Sequence, residues 1–324
     1  MKYRHLGKSG LEVSVIGLGT NAFGGRADKA SSIRIIHQAL DAGLNMIDTA
    51  NVYTNTQSES MIGDALIGRR SAAILATKGG MPRGEGANRR GATRIHLTTE
   101  LEGSLRRLQT DYVDLYQVHT FDPHTPLEET LAALDDFISS GKVRYIGASN
   151  FQAWELMKSL SLSERHHWAK FISVQPCYSL ADRTIEQELI PMCVSEGVGI
   201  IPYFPLAGGI LTGKYTKDST PQGSRAEKDP NFAKKLDDSR IELGNQVAQL
   251  AEKLGATATT LSLAWLLHQP AVSTVIVGAT KVEQLEQNLQ AAELELSADT
   301  LQTLDEMSKS FVYAPPFAVY RPLG

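Results

Sequence analysis

The chain has 324 residues, a mass of 35.3 kDa, a formal charge of −4 and a pI near 6.1. That balance gives no electrostatic reason for nucleic acid or an anionic membrane as partner, and no apolar run is long enough to span a bilayer. With 42% hydrophobic residues the sequence can fill one large core, and an α/β barrel needs about 250 residues as a single unit.

The N-terminus, Met1 to Leu6, lacks the apolar core of a secretory leader. Residues 2–6 and 11–15, joined by Gly7-Lys-Ser-Gly10, have the pattern of a hairpin. Apolar strands and amphipathic helices then alternate. The spacing predicts strands over 15–18, 45–49, 73–77, 113–118, 143–147, 171–175, 198–203 and 273–277, with helices over 31–42, 98–108, 127–140 and 185–196 between them. This β-then-α order calls for a parallel sheet. About eight such units, with no Pro-, Gly- and Ser-rich linker dividing them, favour a closed (β/α)8 TIM barrel forming one domain over 1–324. Two loops break the rhythm, 82–91 after Lys78 and 212–236 after the seventh strand, and both fall on the catalytic side. An extra helix is expected over 297–308. The aromatic tail 311–324 either covers a surface or the barrel mouth; the sequence leaves both open.

Several motifs mislead. Gly17-Leu-Gly19-Thr-Asn-Ala22 matches a dinucleotide fingerprint, but that fingerprint needs a helix to begin within the glycines, and Phe23-Gly-Gly-Arg-Ala-Asp28 delays it. Gly208-Gly-Ile-Leu-Thr-Gly213-Lys214-Tyr215 approaches a phosphate-binding loop, yet Tyr215 stands where Ser or Thr should hold magnesium. His119 and His124 show no spacing of a known zinc site, and no metal is expected. His166-His167 fits a solvated helix end. Cys177 and Cys193 form no CxxC and fit a reducing, cytoplasmic setting.

Three successive strand ends carry ionisable groups: Asp48 with Tyr53 close behind it, Lys78, and His119. In a parallel barrel that shared end is where catalysis is built. A free phenol titrates near pH 10, too high for efficient proton transfer at neutrality. An ammonium about 4 Å away stabilises the phenolate by roughly 4 kcal/mol at an effective dielectric of 20. Asp48 would hold Lys78 charged and oriented, and His119 would direct a carbonyl oxygen. Taken singly, each residue has a plainer reading: a helix cap, a structural ion pair, a half-buried loop residue. Their recurrence at corresponding strand ends argues for a site but names no reaction.

At these residues the chain resembles the aldo-keto reductase superfamily. The matching segments are Asp48-Thr-Ala-Asn-Val-Tyr53, Ala76-Thr-Lys78, Asp114-Leu-Tyr-Gln-Val-His119, Gly141-Lys-Val-Arg-Tyr-Ile-Gly147, Ala148-Ser-Asn-Phe151, Tyr203-Phe-Pro-Leu206 and Gly278-Ala-Thr-Lys281. They run in order from about Tyr3 to about Leu304, and the Gly278 variant is closer to the bacterial and potassium-channel β-subunit branches than to the mammalian steroid reductases. The resemblance implies NADPH-dependent reduction of small aldehydes or ketones, with Tyr53 as proton donor and Asp48, Lys78 and His119 completing the catalytic set. It also implies an extended cofactor across the C-terminal face: Gly19, Thr20 and Asp48 beside it, Ser149, Asn150 and Gln175 on the carboxamide, and Tyr203 stacked on the nicotinamide. The backbone at Leu206 and the side chain of Lys214 would approach the phosphates, Phe204 and Pro205 would also bind the cofactor, and Arg225 would fold over it. Gly278, Thr280 and Lys281 would hold the adenosine phosphate at a helix N-terminus, with Gln284, Gln287 and Asn288 toward the adenine. The family often has a longer basic side chain where this chain has Thr280, so NADP preference rests on Lys281 and Arg225, with NAD the second choice. The β-subunit branch has an aromatic where this chain has Asn21. Phe23, Tyr53, His119 and Tyr178 are the substrate-pocket candidates, rim packing being the plainer reading of Phe23 and Tyr178. A cofactor-sensing binding subunit, and a barrel isomerase or lyase without nicotinamide, are the competing functions. Substrate identity and oligomeric state stay open.

Overall fold

The computed structural model describes residues 1–216, 225–228, 230–233 and 236–319. Strand β1 (Tyr3–His5) pairs antiparallel with β2 (Glu12–Ser14). The remaining strands are β3 (Ile16–Gly19), β4 (Met46–Asp48), β5 (Ile74–Gly79), β6 (Val113–Val118), β7 (Val143–Ser149), β8 (Phe171–Gln175), β9 (Gly199–Ile200) and β10 (Val275–Gly278). They form one parallel sheet of eight in the order β10-β3-β4-β5-β6-β7-β8-β9. The ends meet: Ile200 N donates to Ala271 O (2.7 Å), Ser273 N to Ile200 O (3.0 Å) and Ile276 N to Pro202 O (3.0 Å), which closes the barrel.

Helices α1 (Lys29–Asp41), α2 (Gln57–Ala65), α3 (Arg94–Leu108), α4 (Leu127–Ser139), α5 (Ala153–His166) and α6 (Leu189–Glu196) return the chain between strands. Two short pieces, α7 (Arg225–Lys228) and α8 (Pro230–Ala233), precede α9 (Asp238–Lys253) and α10 (Ala258–Leu267); α11 (Val282–Leu289) and α12 (Ala298–Ser308) follow β10. Several starts are capped as their sequences dictate. Side-chain oxygens of Asp28, Thr93, Asp237, Thr257 and Ser297 each accept a backbone N–H from the first turn of α1, α3, α9, α10 and α12.

Where the structure departs from the sequence-based boundaries, backbone chemistry supplies the reason. Helix α3 starts at Arg94 rather than 98 because Thr93 caps it. The single helix expected over 185–196 is divided into a 3-10 turn at Thr184–Glu186 and α6; Pro191 tolerates only a first-turn position, since its ring would clash with the carbonyl of Gln187 in a continuous helix. The strand expected over 198–203 shrinks to Gly199–Ile200, for Pro202 has no N–H to continue the ladder.

Two apolar layers follow from the period-2 alternation of strand side chains. The larger packs the outer strand faces against the helices. The smaller lies inside the barrel, where Met46, Ala76, Leu115 and Ile276 meet Leu6 and Val13 of the hairpin. The hairpin plugs the N-terminal end: Arg4 Nη1 donates to Val272 O (2.9 Å) and Lys8 N to Gly197 O (2.8 Å). Gly7 has φ +59°, and a Cβ there would stand 2.6 Å from Gly197 O, so only glycine fits this approach. Gly17 and Gly19 serve the same interior. A Cβ on either would lie 2.7 Å from an Ile276 methyl, and the next helix begins only at Lys29, so this glycine pair makes room for barrel packing without opening a helix.

The tail packs back onto the segment that follows β9. Phe317 is buried, packs edge-on against Phe204 (5.8 Å) and Phe232 (6.2 Å), and its N–H donates to Asp182 Oδ2 (2.7 Å). Residues 320–324, and residues 217–224, 229, 234 and 235 of the loop 212–236, lie outside the described residues. Among the described residues no helix is long and apolar enough to cross a membrane.

Candidate active site

The alternation that buries Met46, Ala76 and Leu115 in the barrel places Asp48, Lys78 and Gln117 two residues further along the same strands, at the C-terminal end. Lys78 is fully buried. Its Nζ donates to Asp48 Oδ2 (2.6 Å), to Thr49 O (2.8 Å) and to Tyr53 OH (3.4 Å). The other carboxylate oxygen, Asp48 Oδ1, accepts the amides of Gln117 and Gln175, each at 3.0 Å. His119 follows β6, held by its N–H to Gly79 O (2.8 Å) and by Asn150 Nδ2 on its carbonyl (2.9 Å). Its ring meets that of Tyr53 edge-on, with centroids 6.0 Å apart. Asp48, Tyr53, Lys78 and His119 therefore converge.

The electrostatics of this cluster are lopsided. Burial alone would pull the Lys78 pKa down, but Asp48 and Tyr53 outweigh it and the net shift is upward, so the residue remains an ammonium. Burial, and then the Lys78 charge, push His119 down to about 3; its imidazole is neutral at physiological pH. His119 Nδ1 is buried with no hydrogen-bond partner among the described residues.

Tyr53 is delivered by an unusual turn. Thr54, Asn55 and Thr56 all have left-handed φ (46°, 52° and 75°), a conformation that costs non-glycine residues about 1–2 kcal/mol each. The turn is braced by Thr54 Oγ1 on Phe23 O and by Arg83, which donates to Asn51 O (3.2 Å) and pairs with Glu100 (3.3 Å). Asn51 Nδ2 also donates to Glu100 (2.7 Å). Arg83 thus ties the loop after β5 to the segment that carries Tyr53. Gln117, Asn51, Glu100 and Arg83 were not singled out from the sequence. For Gln117 a signal existed: it lies midway between inward Leu115 and His119.

The residues expected at a cofactor form two groups. In the first, Ser149 Oγ donates to Gln175 O (2.9 Å), and Asn150, at φ 57°, accepts Tyr203 OH (2.7 Å). Thr20 Oγ1 donates to Asp48 O (2.9 Å), beside buried Gly19. Phe204 and Ala207 have φ of 53° and 47°, bending the chain through Pro205 and Leu206. At Gly209 a Cβ would lie 3.1 Å from Lys214 Nζ, so the ammonium stands over bare backbone. The second group sits at the start of α11. Gln284 Oε1 accepts Thr280 N (2.8 Å) and Oγ1 (3.1 Å), Gln287 donates to Thr257 (3.1 Å), and buried Asn288 faces Gly278 O (3.4 Å). Lys281 is exposed at the helix N-cap. Arg225 opens α7, and its side chain lies outside the described residues.

Phe23 and Tyr178 are packed inside. Phe23 is fully buried in the main core, and Tyr178 is buried with its OH on Glu186 Oε1 (2.8 Å) and its ring against Trp265. His124 is exposed, with its N–H on Asp122 Oδ1 (2.9 Å). Among the described residues no group of three or more His, Cys, Asp or Glu side chains is placed to hold a metal ion.

Residues 15–309 match the model of the aldo/keto reductase family. The chain belongs to this family. Relatives include the uncharacterized oxidoreductase YrpG of Bacillus subtilis, 37% identical over 95% of this chain and 96% of that protein. A probable voltage-gated potassium channel subunit beta of Oryza sativa subsp. japonica is 37% identical over 91% and 92% of the two chains. The aldo-keto reductase YhdN of Bacillus subtilis is 37% identical over 88% and 87%. As an aldo/keto reductase family oxidoreductase, the protein has a barrel whose strands carry the Asp48–Lys78–Tyr53 chain at their C-terminal end.

Proposed function

We propose that this protein reduces small aldehydes or ketones to alcohols, with NADPH as reductant and Tyr53 as proton donor. The observation that carries the reading is the position of the Lys78 ammonium, 2.6 Å from Asp48 and 3.4 Å from Tyr53 OH. When bound, the reduced nicotinamide supplies a hydride to the carbonyl carbon. The carbonyl oxygen then needs a proton, and Tyr53 OH gives it. The phenolate left behind faces Lys78, an attraction of about 5 kcal/mol at that separation and an effective dielectric of 20, partly offset by Asp48. His119 is not assigned as the acid, because with a pKa pushed down to about 3 its ring is not an imidazolium at neutrality. A neutral imidazole still offers one N–H, which orients the carbonyl oxygen without competing for the proton transfer.

Several of the chain's own groups support a dinucleotide site. Ser149, Asn150 and Gln175 provide polar groups for a carboxamide, Tyr203 a ring face, and Lys214 above Gly209 a cation for phosphates. Lys281 and Thr280 at the start of α11, with Arg225, are assigned to the adenosine phosphate, and Gln284, Gln287 and Asn288 to the adenine. The test is direct: purified protein with NADPH or NADH against a panel of aromatic and aliphatic aldehydes and diketones. We expect loss of reduced-nicotinamide absorbance matched by alcohol, faster with NADPH. No turnover across the panel would sink the reading.

The rice relative supports a second reading, a cofactor-binding subunit that associates with a channel, since 92% of that protein aligns. Tight NADPH binding with negligible turnover and a stable complex with a membrane protein would favour it.

A further inference from the structure

We infer that Gln117 is a positioning residue that sets how readily Tyr53 gives up its proton, acting through Asp48. The inference rests on the reading of Tyr53 as the proton donor. Strand β6 points Leu115, Gln117 and His119 into the barrel. Gln117 is fully buried, and its Nε2 donates to Asp48 Oδ1 at 3.0 Å. A carboxylate only accepts, so the amide must present its NH2 end. That orientation leaves Gln117 Oε1 buried with no hydrogen-bond partner among the described residues. A buried unpaired acceptor destabilises a fold, and an apolar side chain of the same length would remove that penalty only by giving up the bond to the Asp48 carboxylate. What the amide contributes in return is a donor aimed at one carboxylate oxygen.

That oxygen belongs to the chain of charge leading to Tyr53. Asp48 is met by Lys78 on Oδ2 and by Gln117 and Gln175 on Oδ1. Tyr53 faces the Lys78 ammonium and the neutral His119 ring. Two amide donors disperse the Asp48 charge, leaving more of the Lys78 field for the phenolate. With the Gln117 donor removed, the carboxylate opposes Lys78 more fully, and the phenol holds its proton more tightly.

The experiment replaces Gln117 with Met, and separately with Leu, and follows tyrosinate absorption against pH. Each titration is paired with the same protein carrying Tyr53→Phe, so the difference isolates Tyr53. The expected result is a Tyr53 midpoint raised by roughly half to one pH unit, in variants that still unfold cooperatively. An unmoved Tyr53 midpoint would overturn the inference, and so would failure of both variants to fold, since the fold should not need this amide. The readout requires neither cofactor nor carbonyl. A protein without reductase activity would still show the shift, whereas an active reductase with an unmoved midpoint would lose only this inference.

Discussion

The Lys78 ammonium lies 2.6 Å from Asp48 Oδ2, and both side chains are excluded from solvent. Two opposite charges in that setting depend on each other, because either one alone would be stranded in a poorly polarisable interior. Lys78→Met should therefore cost about 3–5 kcal/mol of unfolding free energy, measured with denaturant. Pairing it with Asp48→Leu should recover most of the loss, although activity would be absent in both. A neutral Lys78→Met would show that the carboxylate does not need its counter-charge.

His119 makes stability sensitive to acid. Its pKa falls from 6.5 unfolded to about 3 folded. Between those values the unfolded chain binds the extra proton and the native state does not, so stability rises with pH across that window and is lost as pH falls. At about 1.36 kcal/mol per pH unit, this one group removes on the order of 3 kcal/mol between pH 6.5 and pH 4. His119→Gln should flatten that part of the stability–pH curve. An identical acid limb in the variant would contradict the assignment.

Gly17 can be tested as a packing residue. A Cβ there would stand 2.7 Å from Ile276 Cδ1 and 3.1 Å from Met46 Cγ and Thr274 Oγ1. Gly17→Ala should cost about 1–3 kcal/mol by overpacking. Ile276→Val removes the offending Cδ1, so the double substitution should be less destabilised than the sum of the singles. Additive losses in thermal unfolding would place the strain elsewhere.

The tail acts as a clasp on the loop after β9. Phe317 sits between Phe204 and Phe232, and Arg240 Nη2 donates to Pro315 O (2.9 Å). Phe317→Ala should cost about 3–5 kcal/mol if the clasp unfolds with the domain. A smaller cost, with faster amide exchange confined to 204–212, would show that the loop opens separately. Unchanged exchange and unchanged stability together would contradict the clasp.

The barrel was legible because alternation and turn residues agree along most of the chain. The same period that marks Met46, Ala76 and Leu115 as interior extends to Asp48 and Lys78, so their meeting at one end followed from strand geometry. Other features arise only from contacts between segments distant in sequence. The left-handed run Thr54–Asn55–Thr56 contains no glycine to announce it. The brace from Arg83 to Asn51 and Glu100 joins three elements and has no local signature. Gln117 occupies an unremarkable strand position, and its role depends on an oxygen 69 residues away. The expected strand over 198–203 failed at Pro202, a local cue that propensity alone outweighed.

Delivery of the proton by Tyr53 can be tested in isolation. The most direct measurement compares wild type and Tyr53→Phe for NADPH-dependent reduction of an aromatic aldehyde, with cofactor affinity determined in parallel. Turnover should fall by roughly 10²–10⁴-fold while the fold and NADPH affinity are retained. A variant that keeps its full rate would show that the proton comes from another group.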